Sequence, residues 1–276
     1  MEPMLAEPIH RGKAVDPYLT DEWVMQPKMD GERLVLVSDG AGGVRCFNRD
    51  GRATVGPPAV VAELAALPVA VTLDGERLRG TVVVFDLMEL RGQGAGVALE
   101  HRLQALEQFM AAWSPTNLAV APTARTIDEK LAMMRAVTDG NGEGWVLKRL
   151  ASTYQAGARS PDWRKLKRWR DVDCVVAWVG GGAGDEKDNM GLSMYRDGEL
   201  VNVGECTRRA GDGQRIQPDD VVKVQVLYAS DGNRLVQPSR ARIRHDKPAE
   251  QCTIDQLDEI RTNRTLVLDM LEPAPT

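Results

Sequence analysis

Histidine, phenylalanine and cysteine are scarce in this 276-residue chain, with three, three and four copies. The cysteines, Cys46, Cys174, Cys206 and Cys252, stand far apart and make no C-x-x-C pair. That excludes a disulfide scaffold and a zinc knuckle and fits a reducing compartment. No apolar run approaches the roughly 18 residues of a membrane span. The opening MEPMLAEPIHRGK has no apolar core of the kind a signal peptide needs. Positive charge is not in excess either: the formal net charge is -5. Any role with nucleic acid therefore rests on local asymmetry of charge, not on its sum. Internal repeats are absent. The expectation is a soluble protein of the cytoplasm.

What is present is ordinary globular composition, 43% hydrophobic and 27% charged, in a chain longer than the usual single domain. Two unequal domains are expected. Short alternating runs broken by turn signals, LVLVSDG, VRCFNRDG, VAVTLDGE and TVVVFDLM, read as strands. Leu99, Leu103, Leu106 and Met110 share one face of a helix near 98–113; Ile127, Leu131, Met134 and Val137 mark a second, with Asp128 and Glu129 in its first turn. Mixed strands and helices of this kind predict an α+β domain over 1–170. From Asp171 the texture is strand only, which suits a small all-β barrel over 171–276 with a packing tail containing Ile254, Leu257, Ile260 and Leu271.

The stretch QPKMDGER places Lys28 two residues before Asp30-Gly31 and five before Arg33. Read alone, it is a hairpin with solvated charges around a D-G turn. A lysine becomes a nucleophile only as the free amine, which neighbouring cations or desolvation favour. Glu76 closes an apolar run in L-D-G-E, and Glu143 sits in D-G-N-G-E-G, where bare backbone lets a ligand approach. Each alone reads as a solvated turn acid; together they are hard oxygen donors suited to magnesium beside a phosphate. Between 145 and 170 the chain carries Lys148, Arg149, Arg159, Arg164, Lys165, Lys167, Arg168 and Arg170 against Asp162 alone. Strand alternation in WRKLKRW puts Lys165 and Lys167 on one side, within reach of one phosphate. Arg240, Arg242 and Arg244 alternate likewise.

Taken in order, these stretches resemble the covalent nucleotidyltransferase superfamily, and most closely the small ATP-dependent DNA ligases. KMDGER resembles the nucleophile motif, FNRDG the next, with Arg49, and LDGE the third. VFDLM is similar to the motif of the base-stacking aromatic, EGWVLK to the fourth, with Lys148, and STYQAGARSPDWRKLKRW to the fifth. SRARIRHDK resembles the terminal basic motif at Arg240, Arg242, Arg244, Asp246 and Lys247.

The resemblance implies a nucleotidyltransferase (adenylation) domain followed by an OB-fold domain, acting as a monomer on nicked double-stranded DNA in a bacterial or phage-infected cell. It implies ATP and magnesium or manganese as cofactors. Lys28 is then the nucleophile, with Asp30, Arg33, Lys165 and Lys167 serving transfer. Gln26, Arg33, Arg49, Phe85, Val146 and Arg159, with Lys28, Lys165 and Lys167, would contact the nucleotide, Phe85 and Val146 on either face of adenine, and Glu76 and Glu143 would hold metal. The remaining arginines of 145–170 would hold DNA backbone. An RNA ligase, a capping guanylyltransferase and a catalytically silent nucleic-acid-binding module are the rival readings. The resemblance also implies a minimal form without an amino-terminal DNA-binding domain, its loop GGGAGDEKDNMG being too short for a DNA-encircling hairpin.

Overall fold

A computed structural model describes residues 1–10, 12–94, 96–180, 187–209 and 215–271. The loop expected to be short, around 181–186, lies outside the described residues. The chain divides into two compact units, Met1–Lys167 with Asn263–Thr276, and Arg168–Thr262. The expected boundary at 170 thus falls three residues earlier; Ile254, Leu257 and Ile260 of the expected tail pack in the second unit, and only its part from Asn263 is reassigned to the first. Leu266, Val267, Leu268 and Leu271 pack on the first unit instead.

The first unit runs β1 (Leu5–Pro8), β2 (Trp23–Pro27), β3 (Glu32–Asp39), β4 (Val44–Phe47), β5 (Ala53–Thr54) and α1 (Pro58–Ala65). It continues through β6 (Ala70–Leu78), β7 (Thr81–Leu90), α2 (Leu99–Trp113), β8 (Leu118–Val120), α3 (Ile127–Asp139), β9 (Gly144–Arg149) and β10 (Arg159–Lys167). Six strands form one sheet in the order β5-β4-β3-β6-β7-β8, and four form another in the order β1-β10-β9-β2. The fold is therefore mixed α+β and rich in sheet, as the alternating runs predict.

The stretch QPKMDGER is not a hairpin. β2 pairs with β9 in the smaller sheet while β3 pairs with β4 and β6 in the larger, so residues 28–31 are the crossing between sheets. L-D-G-E is not a turn either: β6 runs straight through it, and the side chains of Asp74 and Glu76 leave from mid-strand. The register between β6 and β7 slips there, with Asp74 opposite Asp86 but Gly75 opposite Val84. The extra residue in that bulge is Phe85, and a bulge re-aims the side chain it carries.

Leu99, Leu103, Leu106 and Met110 are all buried, as the helical spacing predicts for α2. The face of α3 is rotated from expectation. Ile127 and Leu131 are exposed, whereas Lys130, Met133 and Val137 are buried. Lys130 accounts for the shift, because its Nζ donates to Thr20 O at 2.7 Å while its aliphatic stem fills the interface. A capping box between Thr126 and Glu129 starts this helix.

The second unit holds β11 (Arg170–Val179), β12 (Lys187–Arg196), β13 (Glu199–Arg209), β14 (Val221–Val226), β15 (Tyr228–Ala229), β16 (Leu235–Val236) and β17 (Ser239–Ile243). Its main sheet is antiparallel in the order β13-β12-β11-β14-β17. Strand alternation brings one face of it together as a core, in which Cys174, Val176, Leu192, Met194, Val203 and Val224 are fully buried. After it, α4 (Leu266–Asp269) belongs to the first unit. Among the described residues no helix is long and apolar enough to cross a membrane.

Candidate active site

Register in the smaller sheet sets the site. Val146 on β9 lies opposite Gln26 on β2 and Lys165 on β10, and Gly144 lies opposite Lys167. Residues two apart on a strand share a face, so Gln26, Val146, Lys148, Trp163, Lys165 and Lys167 all lie on one side. Leu147 and Trp145 point the other way, into the core under α3. Lys28 follows β2 directly and stays in line with it through its own N–H, which donates to Gly144 O at 2.8 Å.

Lys28 Nζ lies 2.6 Å from Glu143 Oε2. The Glu143 side chain is buried, and burial raises its pKa against the opposing pull of Lys28. Glu76 accepts from the Gly31 N–H at 3.2 Å. Burial pushes its pKa up to about 7, although Lys28 and Arg33 act to lower it. Gly31 has to be glycine, because a Cβ there would overlap the carbonyl oxygen of Arg77. Lys165 is lowered to about 8 by desolvation, then by Arg159, Arg49, Lys167 and Lys28. Lys167 is lowered by desolvation first, with Lys28 and Arg49 adding to it and Glu143 opposing. Lys28, Arg49, Arg159, Lys165, Lys167, Glu76 and Glu143, collected from separate stretches of sequence, thus form one electrostatic cluster. Crowded cations, with the basicity of Lys165 and Lys167 depressed, suit a dense anion such as a polyphosphate.

Beside this cluster lies a second set of charges, tied together by the chain itself. Arg33 makes a bidentate pair with Asp74, both contacts at 2.6 Å, and donates to Met4 O at 3.0 Å. Burial opposes the charge on Arg33, yet Asp74 outweighs it and raises the pKa. The Tyr154 hydroxyl donates to Asp74 at 2.7 Å and accepts from Met4 N–H. Lys148 is buried, donates to Phe85 O at 3.1 Å, and lies 4.2 and 4.1 Å from the centroids of Phe85 and Trp163. Desolvation lowers its pKa to about 7. Arg33 also stands over the Phe85 ring, at 4.8 Å.

Several of the expected residues have partners within the protein. Arg33, expected to serve transfer, spends its guanidinium on Asp74. Phe85 is packed edge-on to Trp163 in an apolar cluster with Met29 and Val35, and Val146 is half-buried across the sheet face. Gln26 is buried, its amide donating to Thr123 Oγ1 at 2.9 Å. Asp30 faces Arg264 at 3.0 Å. Of the arginines assigned to DNA backbone, Arg164 pairs with Glu7 at 2.6 Å and Arg170 is buried with a hydrogen bond to Leu227 O. Each of the two thus has a partner within its own unit. In the second unit, Arg240 and Arg242 are exposed, but Arg244 pairs with Asp246 and Asp173, and Lys247 with Asp173. These contacts tie Arg244 and Lys247 into the fold of their own unit.

Asp86, Arg102 and Arg264 carry no role in the sequence reading. An acid inside V-V-V-F-D-L-M demands a buried cation, and Arg102, on the apolar side of α2 among Leu99, Leu103 and Leu106, supplies it with contacts of 2.8 and 2.9 Å. That signal is available in the pattern; nothing local announces Arg264.

The fold is that of known ligase nucleotidyltransferase domains. The ligase domain of M. tuberculosis LigD aligns over 91% of this chain and 97% of its own, with a TM-score of 0.54 and 23% identity. A Lig E DNA ligase described as a minimal scaffold aligns over 88% and 99%, with a TM-score of 0.65 and 18% identity. Residues 76–167 match the ATP dependent DNA ligase domain family. A probable DNA ligase of Anaeromyxobacter sp. is 28% identical over 84% of this chain and 51% of its own length. One of Kineococcus radiotolerans is 33% identical over 57% and 36%. The resemblance read from the motifs therefore holds. The chain spans about half the length of the first curated relatives it matches.

Proposed function

We propose that this chain is an ATP-dependent DNA ligase that seals nicks between a 3'-hydroxyl and a 5'-phosphate, with Lys28 as its nucleophile. The observation that carries the reading is Lys28 Nζ at 2.6 Å from Glu143, in one cluster with Glu76, Lys165, Lys167, Arg49 and Arg159.

The Lys28 amine attacks the α-phosphorus of ATP. A nitrogen–phosphorus bond forms, the nitrogen gives up a proton to solvent, the bond to the bridging oxygen breaks, and pyrophosphate leaves with its electron pair. Lys165 and Lys167 offset the charge that grows on the α-phosphate oxygens, and Arg49 and Arg159 extend the same positive field. The AMP then passes from Lys28 to the 5'-phosphate of a nick. Attack by the 3'-hydroxyl on that activated phosphate releases AMP and closes the strand, with Asp30 orienting the hydroxyl. Phe85 and Val146 would flank adenine and Gln26 its edge. Arg33 acts from behind the site, through Asp74, and not on the nucleotide itself.

Glu76 and Glu143 fit magnesium or manganese. Both are oxygen donors whose ionised form is disfavoured by desolvation, so an arriving cation relieves a cost already present. Such an ion would supply Lewis-acid charge at the phosphate oxygens. Magnesium keeps several waters and arrives with phosphate, so two protein carboxylates suffice. The second unit, with five antiparallel strands in its main sheet, is read as an OB-fold domain. The enzyme is read as a cytoplasmic monomer acting on nicked duplex. Relatives named as multifunctional non-homologous end joining proteins make strand-break repair a setting to test.

Incubation with α-labelled ATP and magnesium should label the protein covalently, and a chase with nicked DNA should discharge the label. Lys28→Ala should abolish labelling yet still seal a pre-adenylated nick. A mutant that keeps its label, or a wild type discharged by nicked RNA but not DNA, would overturn the reading.

A further inference from the structure

The segment that follows the second unit returns to the first and lies against both loops that carry the central pair. Asn263 N–H donates to Asn141 O at 3.1 Å, two residues before Glu143. Leu266 packs with the cluster of Val137 and Trp145, and a Cβ on Gly142 would stand 2.8 Å from its Cδ2. Val267 is buried in the cluster that contains Met29 and Phe85. Arg264 Nε lies 3.0 Å from Asp30 Oδ2. One short segment thus reaches Asp30, two residues after the nucleophile, and Asn141 and Gly142, beside the carboxylate.

We propose that residues 263–271 are a working part of the site, and that Arg264 is a positioning residue which, through Asp30, holds the Lys28 loop in the geometry for attack. This rests on the reading of Lys28 given above. Residues 28–31 belong to no strand. Gly31 N–H to Glu76 fixes one end of the crossing, and Arg264 on Asp30 fixes its middle. Leu266 and Val267 are the apolar anchors of the strap; Arg264 is its polar tip. The Arg264 side chain is 58% exposed, so this ion pair adds little to folding. Its removal is felt at the loop and not in the melting of the fold. A small misplacement of an attacking group is costly in rate even where it is cheap in stability.

Arg264→Ala should slow formation of the AMP adduct at saturating ATP roughly 3- to 30-fold, with half-saturation by ATP and the melting temperature both held near wild type. Arg264→Lys should restore most of the rate. In the protein without nucleotide, hydrogen exchange at the Gly31 amide should quicken in Arg264→Ala and return to normal in Arg264→Lys. Wild-type adduct rate and wild-type exchange in Arg264→Ala would overturn the proposal, as would a loss that lysine does not rescue. Should the wild type form no adduct at all, the ligase reading falls, while exchange at Gly31 still decides whether Arg264 fixes the loop.

Discussion

Two sets of charges lie side by side in the first unit and differ in how they are balanced. Arg33 with Asp74 and Arg102 with Asp86 are each bidentate, and both acids are completely buried. Lys28 meets Glu143 through one contact and is partly open, with Lys165, Lys167, Arg49 and Arg159 crowding the same space. The first set is neutralised pair by pair. In the second, among the residues named, five cations meet two carboxylates, a balance that suits an anionic ligand. Geometry that must not move is built from matched pairs, and chemistry from a local surplus of one sign.

The sharpest way to break this distinction is to unmake a matched pair away from the nucleophile. Asp86→Ala strands the Arg102 guanidinium in an interior it cannot leave, and should cost about 3–5 kcal/mol in denaturant unfolding. Replacing both, Asp86→Leu with Arg102→Met, should recover much of that loss, since two apolar groups leave no charge unpaired. A single change that costs under about 1 kcal/mol would put this pair with ordinary surface contacts and dissolve the contrast.

Legibility from sequence follows the same line. Strands β3, β4, β6 and β7 and helix α2 are visible because their apolar spacing matches their period. The open cluster is visible too, since Lys28, Glu76, Glu143, Lys165 and Lys167 stand in short motifs whose chemistry is local. What escapes is whatever depends on packing between distant segments. The crossing at 28–31 reads as a hairpin because nothing local says that its two strands join different sheets. Arg33 reads as a substrate contact because Asp74, its partner, is 41 residues away. The rotation of α3 is hidden because a lysine, Lys130, occupies the buried face. The return of the tail to the first unit is equally non-local, resting on Leu266 and Val267 meeting residues that precede the second unit.

A milder test uses Lys148, which belongs to the buried set but whose ammonium is held by a carbonyl and two rings in place of a carboxylate. Its pKa in the folded protein is lowered to about 7, from 10.5, mainly by desolvation. Between those values the unfolded chain binds more protons than the folded one, so stability rises with pH across that window. Lys148→Met should remove the rise, leaving the variant more stable than wild type near pH 7, by on the order of 1–3 kcal/mol, with the gap narrowing toward pH 10.5. Parallel stability curves for the two proteins over this range would show that Lys148 keeps its charge when buried.

The smallest effect is expected where charges are paired but exposed. Arg77 and Glu32 lie on adjacent strands β6 and β3, directly opposite in register, with 3.4 Å between Nη1 and Oε2. Glu32 follows Gly31 in the chain and the Arg77 carbonyl lies against it, so the pair is close to the site, yet the two side chains are 40% and 76% exposed. Water screens such a pair, and holding two long side chains together costs entropy. Arg77→Ala should therefore shift unfolding by no more than about 0.5 kcal/mol, with no dependence on salt beyond that of the wild type. Were it to cost as much as Asp86→Ala, burial would not be what separates the two sets, and proximity to the Gly31 crossing would have to take its place.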